Sequence, residues 1–199
     1  TPVVRTALDI EIGAAVLRYE DRLVSWIEPR ALRSRAFERR EGDDGKWIRR
    51  YEFDYDEGRA TVRTRSTETG EAGPGQETIE GVPVDVLDEL AALYFLRTLS
   101  LRDGETTTLH RYFDPESDIL EVSRLGTDRI RVPEGRFDVA VLRPVIPAMS
   151  SFQRDRDPRM YVSEDARRLI VQVETDVGIG RLRMYLTDYR ILDGAQRAD

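Results

Sequence analysis

The sequence predicts a mainly β fold in which a curved antiparallel sheet wraps around one central α-helix, residues 83–99. Apolar and polar residues alternate with a period of two along much of the chain, as in residues 3–12, which is typical of half-buried strands. Only between residues 83 and 101 do apolar residues recur at helical spacing, and the second half of that segment is apolar on nearly all sides. Such a helix is usually buried on more than one side, so we expect the sheet to curve around it.

The part of the chain before the helix reads as a series of strands joined by turns. Strands are expected at 3–12, 14–28, 31–41, 47–55 and 60–65. Gly and Asp tolerate the backbone conformations of tight reversals, so residues 41–45 are expected to form a hairpin loop, and residues 56–59 are expected to turn the chain again.

The strand at 47–55 carries an aromatic stripe, because Trp47, Tyr51, Phe53 and Tyr55 share one face. Aromatic residues are favoured in strands and supply much of the buried area of protein cores. The favoured interpretation is that the stripe packs on the central helix. An exposed stacking platform is the alternative.

Two segments are expected to be long loops. Residues 66–80 have almost no apolar content and place three glycines around one proline, so they bury too little surface to offset the entropy of ordering. Residues 144–158 contain three prolines and a polar string. Between these loops, Asp85 is expected to cap the first turn of the helix, and Asp88 adds negative charge near its N-terminus.

After the helix the alternation resumes and predicts the remaining strands. They are expected at 106–113, 119–125, 129–132, 137–143, 159–163, 169–176 and 181–190. Neither half looks self-sufficient, so we expect a single β-rich domain over residues 1–199.

Composition excludes some classes of function. The net charge of −7 argues against nucleic acid as the main partner, and the absence of cysteine excludes disulfides and thiol chemistry. No apolar run approaches the roughly 20 residues that span a bilayer, so we expect no transmembrane segment. The chain starts at Thr1 without an initiator Met or a signal sequence, and we expect a processed product or a first segment that is not included.

Several segments together resemble DUF3108, a bacterial family of unknown function. They lie in the family's order at 25–29, 51–54, 88–99, 131–137, 165–169 and 186–189. The resemblance implies an exported protein of the cell envelope, periplasmic or membrane-associated, with a curved antiparallel sheet or half-open β-barrel around a helix. It supplies no catalytic motif. Family members usually have further strands before the Ser25-Trp26-Ile27 segment, and without those strands the barrel has an open side that can hold a partner.

A catalytic or metal-binding set does not emerge from the residues. His110 is the sole histidine, which excludes a His-rich metal site within one chain. The oxygen ligands at Asp114, Glu116 and Asp118 suggest calcium, but the glycine that bends the usual loop is absent. Paired carboxylates can serve a glycosidase, although solvated loops are the favoured interpretation in so charged a chain. We expect no cofactor, no metal and no enzyme activity.

Arg97 is the most informative single charge, because it follows an apolar helix and a buried guanidinium needs an acidic partner. Glu52 and Asp54 are the candidates for that partner. The residues expected to bind a ligand or a partner protein are Trp26, Trp47, Tyr51, Tyr94, Arg97 and Phe152.

Three functions are compatible with the sequence. The leading hypothesis is a non-catalytic envelope protein, an accessory or scaffolding subunit that docks on a larger envelope or membrane protein complex. The second is a periplasmic carrier that holds a lipid or other hydrophobic ligand in the cavity between sheet and helix, which requires an apolar pocket. The third is a carbohydrate-active enzyme with paired carboxylates.

Overall fold

The computed structural model describes residues 3–14, 17–41, 46–111, 119–145, 157–176 and 181–189. The chain divides into two compact units. Unit 1 comprises Thr1–Leu96 and His110–Asp118, and unit 2 comprises Arg97–Leu109 and Ile119–Asp199. Each unit has its own antiparallel sheet and its own buried cluster.

The sheet of unit 1 is an antiparallel meander of six strands that neighbour one another in chain order. The strands are β1 Val4–Ala14, β2 Leu17–Glu28, β3 Arg33–Glu41, β4 Trp47–Asp54, β5 Arg59–Ser66 and β6 Ala72–Glu80. The helix α1, Glu89–Leu96, follows β6 and contacts this sheet through β2 and β3. Short turns suffice because every connection joins adjacent antiparallel strands.

The sheet of unit 2 is a second antiparallel meander of six strands. Its strands are β7 Thr106–His110, β8 Ile119–Val132, β9 Gly135–Val145, β10 Arg159–Ser163, β11 Ile170–Asp176 and β12 Arg181–Tyr185. β8 is continuous where the sequence suggested two strands, because Gly126 sits in a register shift with a φ of 145° and lets the ladder pass an irregularity.

The predicted fold class is confirmed. The described part of the chain is mainly β, its strands pair antiparallel, it has one α-helix, and neither sheet closes into a barrel. No helix in the described ranges is long and apolar enough to cross a membrane.

The helix is shorter than the predicted 83–99. The backbone before it is engaged in other pairings: the N–H of Ser34 donates to the carbonyl of Val86, and the N–H of Leu87 donates to the carbonyl of Arg111. These bonds commit the backbone of residues 86 and 87 to partners outside the helix. The first helical residue is therefore Glu89, and the N-cap is Asp88 and not the predicted Asp85.

The aromatic stripe of β4 divides between core and surface. Tyr51 and Phe53 are buried in the core of unit 1, where Tyr51 stacks on Phe37 with ring centroids 6.2 Å apart. Trp47, at the start of the same strand, stays 38% exposed. Tyr51 and Phe53 therefore face the core of unit 1, while packing of the stripe on α1 stays a prediction.

The predicted loop 66–80 is wrong for most of its length, because residues 72–80 form β6. β6 pairs with β5, and the register jumps between the Arg63–Gln76 and Arg65–Ala72 pairs, which places the Gly73-Pro74-Gly75 segment at an irregularity. An edge strand needs backbone partners on one side only and tolerates proline, so its polar composition did not prevent strand formation.

The second predicted loop and several other predicted features lie largely outside the described residues. β9 extends to Val145, and residues 146–156 with Phe152 are not described. The same holds for residues 42–45 of the predicted hairpin, for the Asp114–Asp118 oxygen ligands and for residue 190.

Replacing Leu96 with Ala tests whether α1 belongs to a packed core. Leu96 is 1% exposed, so we expect the free energy of unfolding to fall by about 2–5 kcal/mol, because the truncation loses buried area and leaves a cavity. Leu93 is only half-buried, and Leu93→Ala should cost less. Urea denaturation of both variants measures the difference, and an equal loss at the two positions would contradict this packing.

Candidate functional site

A buried carboxylate, Asp88, anchors α1 to the sheet of unit 1. Its Oδ1 accepts the backbone N–H groups of Leu90 and Ala91, both at 2.9 Å, which is N-capping geometry. Its Oδ2 accepts the hydroxyl of Ser25 on β2 at 2.6 Å, and its own N–H donates to Ser34 Oγ on β3 at 2.8 Å. Burial raises the pKa of Asp88, and the hydrogen bonds from Ser25 and the backbone oppose that rise. Its contacts are those of a structural group.

Glu89, the first residue of α1, has a pKa raised to about 7. Burial is the main cause, and the guanidinium of Arg39, whose Nη1 lies 3.2 Å from Oε1, opposes it. A carboxyl in this range can exchange a proton near neutral pH. Its side chain nevertheless lies against the arginine of the neighbouring strand, which gives it a packing role.

Glu89→Gln should remove a pH dependence of stability. A folded-state pKa raised from 4.5 to about 7 means that the folded protein binds the proton more tightly, so wild-type stability falls as pH rises through that window. Relative to Glu89→Gln, the wild-type melting temperature should decline between those two pH values. The side chain keeps 30% exposure, so screening by solvent makes the effect smaller than for a fully buried group. Parallel profiles would contradict the raised pKa.

Arg111 is the hub of the polar contacts in unit 1. Its Nε donates to the carbonyl of Asp85 at 2.8 Å, and its Nη2 donates to the carbonyl of Leu32 at 3.1 Å. It also pairs with the Asp85 carboxylate at 2.8 Å and lies over the Phe95 ring at 4.7 Å. One guanidinium therefore ties the β2–β3 turn and the entry to α1 together.

Arg97 takes part in a smaller set of backbone contacts in unit 2. Its Nη2 donates to the carbonyl of Arg167 at 2.6 Å, and Arg168 donates to the carbonyl of Arg97 at 2.9 Å and to that of Leu99 at 2.8 Å. The expected acidic partners are engaged elsewhere: Glu52 pairs with Arg50 and Arg63. An acidic partner for Arg97 stays a prediction.

A second buried carboxylate, Glu174, organises one face of the unit 2 sheet. It is 4% exposed and accepts the hydroxyl of Tyr161 at 2.8 Å and Nε of Arg183 at 3.0 Å. Arg181 Nη1 lies 3.4 Å away. Burial acts to raise the pKa of Glu174, but these donors outweigh it and hold the pKa below its usual range. Hydrogen-bond donors on the two neighbouring strands, β10 and β12, thus keep this carboxylate ionised.

Unit 1 also contains a cavity of about 580 Å³. Four charged residues line it, Arg33, Arg35, Asp54 and Asp56, together with Phe53, Tyr55 and Val84. Arg33 is held in place by Glu28 and by the carbonyl of Val84, both at 2.8 Å, and lies over the Tyr55 ring at 4.2 Å. The lining is polar, so this cavity does not suit an aliphatic ligand.

The predicted binding residues do not form one site. Trp26 is half-buried, and its ring lies under the guanidiniums of Arg50 at 4.4 Å and Arg5 at 5.9 Å. Tyr51, 2% exposed, belongs to the core and is inaccessible to a partner, which corrects its assignment as a binding residue. Trp47 and Tyr94 are each 38% exposed. Among the described residues, no group of three or more His, Cys, Asp or Glu side chains is placed to hold a metal ion.

The edges of the unit 1 sheet differ from one another. β6 is irregular at its Gly73–Gly75 segment, whereas β1 is 11 residues long and pairs with β2 without a register shift. No described strand pairs with the outer edge of β1. Val3 and Val4 at its start are 47% and 50% exposed. Long regular edges present unpaired N–H and C=O groups to which another strand can add.

The comparisons with known proteins agree with the resemblance identified in the sequence. The family model described as "Protein of unknown function (DUF3108)" matches residues 3–187, which is most of the chain. No curated protein and no solved structure matches the chain.

Proposed function

We propose that this chain, which belongs to the DUF3108 family, is a non-catalytic protein of the bacterial cell envelope that binds a partner protein as an accessory subunit. The partner adds a strand to the outer edge of β1. The envelope location proposed for this chain is based on the family resemblance, which implies an exported protein.

The edge of β1 is the single observation that carries this proposal. Proteins usually protect edge strands by shortness, proline, bulges or charge. β7 and β12, the edges of the other sheet, are five residues each, and β6 contains a proline. β1 is neither short nor interrupted by a proline or a register shift along its 11 residues, and exposed valines mark its start. In strand addition, main-chain hydrogen bonds supply affinity and side chains on alternate positions supply specificity.

The non-catalytic part of the proposal is supported by the buried carboxylates. Perturbed titratable groups often mark catalytic sites. Asp88 caps α1 and binds two serines, Glu89 pairs with Arg39, and Glu174 is held by Tyr161 and Arg183. Each has a structural contact that accounts for its environment.

The alternatives receive less support from unit 1. A carrier of a hydrophobic molecule needs an apolar pocket, and the cavity described above is lined largely by charged side chains. A glycosidase needs a free pair of carboxylates, but Asp54 Oδ1 in that cavity accepts the N–H groups of Asp56 and Glu57, both at 3.2 Å.

Site-specific photocrosslinking in cells tests the proposal. A photoreactive residue at Val4 should crosslink to a protein of the envelope, and the complex should survive purification and appear by native mass spectrometry. The same residue at Val84, which is 64% exposed in unit 1 but away from the edge, is the matched control.

A pair of lysine substitutions supplies the functional arm. Val4→Lys with Ala7→Lys places charge on the exposed edge of β1, which should abolish the complex without unfolding the protein. Val84→Lys should leave the complex intact. A bare monomer from native membranes, or a complex that both sets of variants keep, would rule out docking at β1.

A further inference from the structure

We propose that the outward face of the unit 1 sheet is a membrane-contact surface that lies on anionic lipid headgroups. The inference rests on the proposed place of the protein in the envelope, but it concerns a face of the sheet and not the edge of β1. We call this surface the arginine face. It consists of Arg5, Arg40, Arg50, Arg63 and Arg65 with Glu38, Glu52 and Trp26.

The strand register brings these residues to one side of the sheet. Glu38, Arg50 and Arg63 pair across β3, β4 and β5, and Arg40 and Arg65 flank Ile48 in the next row on the same face. Arg5 pairs with Trp26, and the same row continues through Ala36 to Glu52. The core residues Phe37, Tyr51 and Val62 occupy the alternate positions, so they face the opposite side.

The arginine face carries five guanidiniums and two carboxylates, an excess of three positive charges in a chain of net charge −7. On one side it is bounded by a row with one excess negative charge, Asp54, Arg59 and Glu80. Over distances of about 10 Å or less, the local field decides attraction more than the net charge does.

The pairing pattern favours a diffuse anionic surface over a single matched carboxylate. Glu38 is shared by Arg50 at 2.8 Å and Arg65 at 3.7 Å, and Glu52 is shared by Arg50 and Arg63. Three guanidiniums therefore share two carboxylates, which leaves one excess positive charge spread over the three. For Arg40 no carboxylate partner is described, and its Nε is buried without a hydrogen-bond partner among the described residues. A layer of headgroups responds to such a summed excess of charge.

The exposure of the arginines and the presence of Trp26 also fit a membrane-contact surface. Arg63 and Arg65 are 55% and 48% exposed. Trp26 lies among the arginines with its ring under two guanidiniums, and tryptophan is enriched at membrane–water interfaces because one end of its ring system is apolar and the other polar. Binding to an acidic protein surface would require neither the tryptophan nor a positive charge spread over several arginines.

Vesicle flotation of the purified chain tests this proposal without any protein partner. The protein should float with vesicles of phosphatidylcholine and phosphatidylglycerol, not with phosphatidylcholine alone, and high salt should release it. Arg63→Glu with Arg65→Glu should weaken binding by about 600-fold, since each basic residue near an anionic surface contributes about a factor of five and charge reversal doubles the change in free energy at each position. Arg63→Gln with Arg65→Gln should weaken vesicle binding less. This milder variant tests the proposal even if the charge-reversal variant does not fold.

The matched control is Arg129→Glu with Arg136→Glu on the β8–β9 hairpin of unit 2, which alters the net charge equally at exposed positions. This variant should bind vesicles nearly as well as wild type. Equal losses in both pairs would show a net-charge effect and overturn the proposal. So would binding to phosphatidylcholine alone, or capture by immobilised polyglutamate without vesicle binding, which would indicate an acidic protein partner.

The two tryptophans give an independent readout. Trp47 lies on the core-facing side of the same sheet, so Trp47→Phe leaves Trp26 as the sole tryptophan and Trp26→Phe leaves Trp47. Anionic vesicles should shift the emission of Trp26 to shorter wavelength and leave that of Trp47 unchanged. A shift of Trp47 alone would place the contact on another surface. Failure of flotation leaves crosslinking at β1 unaffected, so the two proposals fail separately.

Discussion

Replacing Asp88 with Ala is expected to lower the free energy of unfolding by about 3–5 kcal/mol, the combined cost of a lost N-cap and of buried polar groups left without an acceptor. The variant loses the N-cap of α1 and leaves the hydroxyl of Ser25 and the N–H groups of Leu90 and Ala91 without their acceptor. Each buried polar group that loses its partner costs about 1–3 kcal/mol. Chemical denaturation followed by circular dichroism measures the change.

Asp85→Ala is the control, because the sequence places that aspartate at the start of the helix as well. Its side chain is 44% exposed and pairs with Arg111 at 2.8 Å, so its loss should cost about 1 kcal/mol or less. Asp88→Asn keeps one oxygen for capping and should fall between the two. Equal effects of Asp85→Ala and Asp88→Ala would contradict the assignment of the cap.

The strands were predictable because each needs only a period-two pattern and a turn on either side. β2, β4, β9 and β10 all lie close to the expected positions. β6 could not be predicted in this way, since Ile79 is its one side chain that packs against the core cluster and its other support is backbone pairing with β5. The start of α1 also depends on long-range partners: Ser34 and Arg111 pair with residues 86 and 87, and nothing local in the sequence specifies those bonds.

Charge was the harder property to interpret. Arg97 stands out in the sequence because it follows an apolar helix, yet Arg111 makes more of the contacts that hold unit 1 together. The partners of Arg111 are mostly backbone carbonyl oxygens, and these cannot be recognised in the sequence because every residue has one. The arginine face could not be recognised in the sequence either. Arg40, Arg50 and Arg63 lie on three strands and become neighbours only through register.

Glu174→Ala should destabilise the protein by about 2–4 kcal/mol through unit 2, because it leaves the buried hydroxyl of Tyr161 without its acceptor and removes the ion pair with the half-exposed Arg183. The neighbouring Asp176 pairs with Arg181 at 2.9 Å but is 38% exposed, so Asp176→Ala should cost about 1 kcal/mol or less. Comparing the two variants, which each remove one carboxylate from the same strand, separates the effect of burial on stability from the effect of charge.

The acid limb of the stability profile gives the second test of Glu174. A pKa held below its usual range means that the unfolded chain takes up the proton first, so the stabilisation is present above the unfolded pKa and is lost as pH falls through the folded one. Glu174→Gln should therefore flatten the loss of stability in acid, while Tyr161→Phe should weaken that loss only in part because the arginines remain. An unchanged acid limb in Glu174→Gln would mean that the carboxylate is not held ionised by its neighbours, and the contacts to Tyr161 and Arg183 would then owe their strength to packing alone.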